Sequence, residues 1–108
     1  MLRGYNLSMR LIIDLSHLDE QTFGDADLRQ EVLEMFQLQI PLLLTALEAT
    51  HGEARAEIAH RLKGSCLAIG ANQLADAAAL IEDAPMIDLD IHSLSNATLA
   101  EVAKILSN

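Results

Sequence analysis

The apolar side chains of this chain recur mainly at intervals of three or four residues, the period of an amphipathic helix. Asp25 is a suitable N-cap for the longest such segment, which we expect to reach about Thr50. Pro41 lies inside it and removes one helical hydrogen bond, so it either kinks the helix or divides it. The apolar phase continues across Pro41, which favours one kinked helix. The predicted core face of this helix comprises Leu28, Val32, Phe36, Gln39, Ile40, Leu43 and Leu47.

Four further helices follow from the same pattern. A short helix is predicted over about 16–22, with Ser16 at its start. Longer helices are predicted over about 53–69, from residue 71 or 72 to just before Pro85, and up to about residue 106, with a start left open between 87 and 94. Short connections imply antiparallel neighbours. The expected fold is all-α, an antiparallel up-down four-helix bundle over residues 11–108 with a short additional N-terminal helix, preceded by an arm at residues 1–10.

Composition and net charge limit the fold classes and the kinds of partner that are expected. A chain of 108 residues has the length of one domain, and its abundant Ala and Leu favour helices. A net charge of −9 argues against nucleic acid or an anionic membrane surface as the partner. The single cysteine, Cys66, cannot form an internal disulfide, and no long apolar span occurs. We therefore expect a cytoplasmic monomer that binds other proteins.

His60 is the candidate for chemistry. On the 53–69 helix, Ile58, Leu62, Ser65, Cys66 and Ile69 project to one side and His60 to the other. The neighbours projected around His60 are Ala56, Lys63, Gly64, Leu67 and Ala71. A histidine with an adjacent lysine on a surface of small and apolar residues is suited to accept a transferable anionic group from a partner. His17, His51 and His92 lack metal-ligand spacing and are expected to be surface residues.

A second apolar stripe lies on the 26–50 helix, offset from its core face. It consists of Met35, Leu38 and Leu42. Two interpretations remain open: the short first helix or the N-terminal arm covers the stripe, or the stripe is part of a docking surface beside His60.

Several motifs together resemble the histidine-containing phosphotransfer (Hpt) domain of phosphorelays. The resemblance spans about residues 11–106 and includes an Asp14-Leu15 start, a helix containing Phe36 and a terminal helix. The motifs that carry it are His60, Leu62-Lys63-Gly64, Gly70-Ala71, Leu74 and Leu80-Ile81-Glu82.

This resemblance implies a function and roles for four residues. His60 would be the phosphoacceptor that exchanges a phosphoryl group with the aspartate of response-regulator receiver domains, and a hybrid histidine kinase would act upstream. Lys63 would offer its ammonium group to the phosphoryl oxygens, and Gly64 would leave room for the partner. Glu82 would hydrogen-bond the other ring nitrogen of His60. No cofactor is expected on this chain, since the Mg²⁺ of such transfers belongs to the receiver domain.

Other functions remain as alternatives. A non-catalytic helical adaptor would use the same apolar surface without chemistry. The chain is alternatively a phosphoacceptor domain from a larger hybrid or chemotaxis-type kinase, although Met1 and the full set of helices favour a free-standing protein. Kinase activity of its own is disfavoured, because the chain has no Gly-rich nucleotide loop.

Overall fold

The computed structural model describes residues 11–107, which contain five α-helices and no β-strand. The all-α prediction is confirmed, and the predicted N-terminal arm lies outside the described residues. The helices are α1 (Leu15–Gln21), α2 (Ala26–Glu48), α3 (Gly52–Ile69), α4 (Asn72–Asp83) and α5 (Ile91–Ser107).

Side chains and glycines at the helix ends account for these bounds. Asp14 caps α1, since its carboxylate accepts a hydrogen bond of 3.2 Å from the backbone N–H of His17. Helix α1 thus lies where it was predicted to within one residue, with Asp14 rather than Ser16 at its start. Asp25 caps α2 as predicted, accepting from two backbone N–H groups at 2.9 and 3.1 Å. Gly70 ends α3 with a φ of 78°, the left-handed conformation that glycine adopts without steric cost.

The helix α2 is continuous through Pro41, so the alternative of two separate helices is excluded. Its core face differs from the predicted one. Gln39 is exposed and Leu43 only half-buried, whereas Leu33 and Leu44 are buried. The buried stripe of α2 consists of Leu33, Phe36, Ile40, Leu44 and Leu47.

The helix α3 packs against α1, α2 and α4, and α5 packs against α2 and α4. These contacts enclose one core, to which all five helices contribute. The predictions for α4 and α5 are confirmed. The α4 core face includes Leu74, Ala77, Ala78 and Ile81, and α5 begins at Ile91, within the range predicted for its start. None of the described helices combines the length and apolar character needed to cross a bilayer.

Candidate functional site

His60 lies on the outer face of α3. Ala59 and Leu62, its near neighbours along the chain, are fully buried in the core. A rotation of about 100° per residue then directs the imidazole of His60 outward, where its side chain is 66% exposed. The predicted projection of His60 is confirmed, although the buried face of α3 includes Ala59 rather than the half-buried Ile58.

One carboxylate joins His60 to Lys63. Glu82 on α4 places Oε2 2.8 Å from Nδ1 of His60 and Oε1 2.8 Å from Nζ of Lys63. The three side chains therefore form a chain of contacts across the α3–α4 interface. The structure brings together the histidine and the two polar residues that the sequence placed beside it.

The charge of Glu82 decides the tautomer of His60. Contact with the Lys63 ammonium group lowers the pKa of the Glu82 carboxyl group, the His60 ring adds to this effect, and desolvation opposes it. Glu82 is therefore ionised near neutral pH and can only accept hydrogen bonds. It follows that Nδ1 of His60 carries the proton and donates a hydrogen bond to Glu82. In the neutral ring, Nε2 then keeps a free lone pair.

A cavity of about 630 Å³ opens beside His60 at the edge between α3 and α4. Ala56, predicted as a neighbour of His60, is half-buried and contributes to the cavity wall. The charged side chains that line the cavity are Glu53, Glu57, Arg61, Glu82 and Asp83.

Gly64 lies one helical turn beyond His60 and has open space around it. A Cβ atom built on Gly64 would meet no atom within 4 Å beyond its own helix backbone and chain neighbours. Because Gly64 has no side chain, the backbone of α3 is accessible at this point of the surface.

The predicted docking stripe on α2 is exposed within the described part of the chain. Leu38 and Leu42 are 73% and 72% exposed, and Met35 is also exposed. Helix α1 leaves these side chains open to solvent. Met35 shares a groove with Gly64 between α2 and α3, so the stripe borders the helix that carries His60. Leu67 is exposed on α3, as predicted.

The prediction that Ala71 belongs to the surface around His60 is wrong, because Ala71 is 0% exposed. The helical projection is not valid beyond Gly70, where the left-handed turn takes the chain out of the phase of α3. Ala71 instead donates its N–H to the carbonyl of Cys66 at 2.9 Å and precedes α4 as its N-cap residue.

The other histidines lie away from this arrangement. His51 is exposed at the start of α3, and His92 is exposed and lies 3.0 Å from Glu48. His17 differs from the prediction of a simple surface residue, since it is half-buried and its Nε2 lies 2.8 Å from the carbonyl oxygen of Leu67. Within residues 11–107, no three His, Cys, Asp or Glu side chains are grouped so that they could hold a metal ion.

Comparison with known families agrees with this geometry. The profile of the Hpt domain matches residues 27–107. The chain belongs to the Hpt domain family. Neither the curated proteins nor the solved structures contain a significant match to it. Membership assigns this Hpt domain to histidine-containing phosphotransfer in phosphorelays, whose Hpt domains interact with receiver domains and kinases.

Two features of this Hpt domain were missed from sequence. Arg61 lines both the His60 cavity and a second groove, which it shares with Leu42 on α2. Its position directly after His60, about 100° around the helix, was the available signal. No sequence signal indicated the contact of His17 with Leu67, because the two residues are 50 positions apart in the sequence.

Proposed function

We propose that this chain carries a phosphoryl group on Nε2 of His60 and exchanges it with the aspartate of response-regulator receiver domains. The observation that carries the proposal is the 2.8 Å contact between Nδ1 of His60 and the Glu82 carboxylate. This contact occupies one ring nitrogen and leaves the other as the nucleophile on an exposed side chain.

The transfer step needs no separate base. The Nε2 lone pair attacks the phosphorus of the aspartyl phosphate, the acyl O–P bond breaks, and its electron pair leaves with the aspartate carboxylate. The proton on Nδ1 stays in its hydrogen bond to Glu82, which stabilises the positive charge that develops on the ring. The reverse sequence returns the phosphoryl group to a receiver.

Lys63 and Gly64 have separate roles in this proposal. The Lys63 ammonium group stabilises the phosphoryl oxygens in the transition state, for which it exchanges part of its contact with Glu82. Gly64 lets the receiver backbone approach His60, as the open space around it allows. The chain itself holds no cofactor, and the Mg²⁺ of the reaction is supplied by the receiver domain.

The proposed receiver-docking surface joins the α2 stripe to the exposed face of α3. It comprises Met35, Leu38 and Leu42 with Ala56, Gly64 and Leu67. We propose that the protein acts as a cytoplasmic monomer, and that its four long helices form an antiparallel up-down bundle. The contacts of α3 with α2 and α4, and of α5 with the same two helices, support that arrangement.

The test is phosphotransfer from phosphorylated receiver domains, followed by mapping of the labelled residue. We expect acid-labile label on His60 and none in His60→Gln. His92→Gln is a matched control, because His92 also lies beside a glutamate, at 3.0 Å, but outside the site. Label that persists in His60→Gln would contradict the proposal. Receiver binding without any label would favour the alternative of a helical adaptor, which the exposed α2 stripe also allows.

A further inference from the structure

The cavity beside His60 is lined by four carboxylate side chains but by a single permanent cation. The carboxylates belong to Glu53, Glu57, Glu82 and Asp83, and the cation is Arg61. Lys63 is outside the lining, and its ammonium group is engaged by Glu82 at 2.8 Å. An incoming phosphoryl group therefore meets mostly negative charge on this side of His60.

Arg61 is available to offset that charge. It is exposed, and among residues 11–107 it takes part in no salt bridge or side-chain hydrogen bond. Glu57, one turn earlier on α3, lines the same cavity but does not form an ion pair with Arg61 in this structure. Its guanidinium group keeps its charge at all relevant pH values and presents N–H groups in a planar fork that matches phosphate oxygens.

Arg61 lies between two parts of the site, the His60 cavity and the groove beside the α2 stripe. It lines the His60 cavity on one side and, on the other, the groove that contains Leu42 and Ser65 between α2 and α3. We propose that Arg61 is a further determinant of phosphodonor recognition, which attracts the anionic phosphoryl group into the cavity and orients it toward Nε2 of His60. This proposal rests on the proposed function of His60 and adds a residue to it.

The effect is chiefly electrostatic, so it depends on ionic strength. The summed charge of this chain is −9, which repels an anionic donor at long range. A local cation that raises the donor concentration near His60 increases the transfer rate most at low salt, where screening is weakest. If Arg61 acted only through folding, added salt would not bring the transfer rate of an Arg61 variant back to that of the wild type.

A small phosphodonor isolates this effect from protein docking. The probe is phosphoramidate, which reacts in its N-protonated form. Its P–N bond breaks as Nε2 of His60 attacks phosphorus, and the electron pair of that bond stays on the protonated nitrogen, which leaves as neutral ammonia. Labelling rates are measured by intact mass for the wild type, Arg61→Gln, Arg61→Lys and Lys104→Gln. Lys104 on α5 is an exposed cation that does not line the cavity, and its substitution makes the same change in net charge. His60→Gln gives the background rate.

We expect Arg61→Gln to be labelled about tenfold more slowly than the wild type at an ionic strength of about 0.02 M, and within about twofold of it at about 0.5 M. Arg61→Lys should keep most of the rate, and Lys104→Gln should match the wild type. Equal low-salt rates in Arg61→Gln and Lys104→Gln, with His60 still labelled in both, would overturn the role of Arg61 and leave the proposed function intact. A wild-type protein that phosphoramidate labels no faster than His60→Gln would also overturn the role of Arg61, whereas the receiver assay decides the proposed function separately.

Discussion

Gly70 lies directly against the backbone of Asp14. The N–H of Asp14 donates to the Gly70 carbonyl at 2.8 Å, and a Cβ atom on Gly70 would lie 2.7 Å from the Asp14 carbonyl oxygen. The residue that ends α3 is thus also the point where the chain before α1 joins the bundle. A side chain at Gly70 would meet backbone atoms, which have little freedom to move.

We expect Gly70→Ala to lower the free energy of unfolding by about 3 kcal/mol or more, because it combines a left-handed φ with a backbone clash. Gly52→Ala is the matched control. Gly52 also has a positive φ, of 62°, but a Cβ there meets nothing within 4 Å, so a loss of about 1 kcal/mol is expected. Urea unfolding measures both, and equal losses would show that the contact with Asp14 contributes nothing.

The second prediction concerns the tautomer of His60. Removing the acceptor in Glu82→Ala should reduce the population of the ring form with the proton on Nδ1, because the 2.8 Å contact no longer favours it. The ¹⁵N chemical shifts of the two ring nitrogens report this population. Glu48→Ala, which removes the carboxylate beside His92, should leave the His60 shifts unchanged. Unchanged His60 shifts in Glu82→Ala would assign Glu82 to the surface without a role in the site.

The third prediction follows from the lowered pKa of Glu82, whose largest cause is the contact with Lys63. Because the pKa is lower in the folded protein than its ordinary value of 4.5, this carboxylate stabilises the fold fully above pH 4.5. That contribution is lost as the pH falls through the lowered value. The stability difference between wild type and Glu82→Gln should therefore shrink below pH 4.5.

Urea unfolding over a pH series measures this difference. Glu31→Gln on α2 is the matched control, because it removes the same charge from an exposed residue outside the site. A stability difference between wild type and Glu82→Gln that grows as the pH falls would contradict this prediction.

The fourth prediction tests the docking surface. Leu38 is 73% exposed on α2, so Leu38→Asp should leave the unfolding free energy within about 0.5 kcal/mol of the wild type. Its receiver binding should weaken by about tenfold or more, since a buried charge opposes an apolar interface. Leu80→Asp on α4 is the control, because Leu80 is also exposed but outside the proposed surface. Equal binding by the two variants would exclude Leu38 from the interface.

The fifth prediction concerns Cys66, which is fully buried on α3. Burial raises the pKa of its thiol to about 12, so the reactive thiolate is scarce at neutral pH. A disulfide reagent at pH 8 should modify the native protein at least about a hundredfold more slowly than the urea-unfolded protein. Fast modification of the native state would show that α3 opens readily near its C-terminal end.

The helices were largely predictable because local rules determine them. Asp25 satisfies backbone donors and Gly70 adopts a positive φ, and both effects depend on neighbouring residues alone. The core face of α2 was less predictable. Leu43 and Leu44 are chemically equivalent in sequence, and packing against the other helices decides which of them is buried.

The site was predictable where one helix carries it and less so where several meet. His60 and Lys63 follow from the period of α3, whereas the contact of Glu82 with both depends on how α4 packs beside α3. Ala71 was assigned wrongly because a helical projection was continued through a turn that changes the direction of the chain.

The two-residue connection between α3 and α4 has a consequence for which changes in length the chain tolerates. His60 lies ten residues before Gly70 and Glu82 twelve residues after it, so the contact between them depends on a fixed number of residues on each side of the turn. One residue inserted between His60 and Gly70, or between Gly70 and Glu82, would shift His60 or Glu82 by about 1.5 Å along its helix and rotate it by about 100°. Insertions and deletions between residues 60 and 82 should therefore separate the histidine from its carboxylate even where the helices still form. The connection at 84–90 carries no such constraint on this pair.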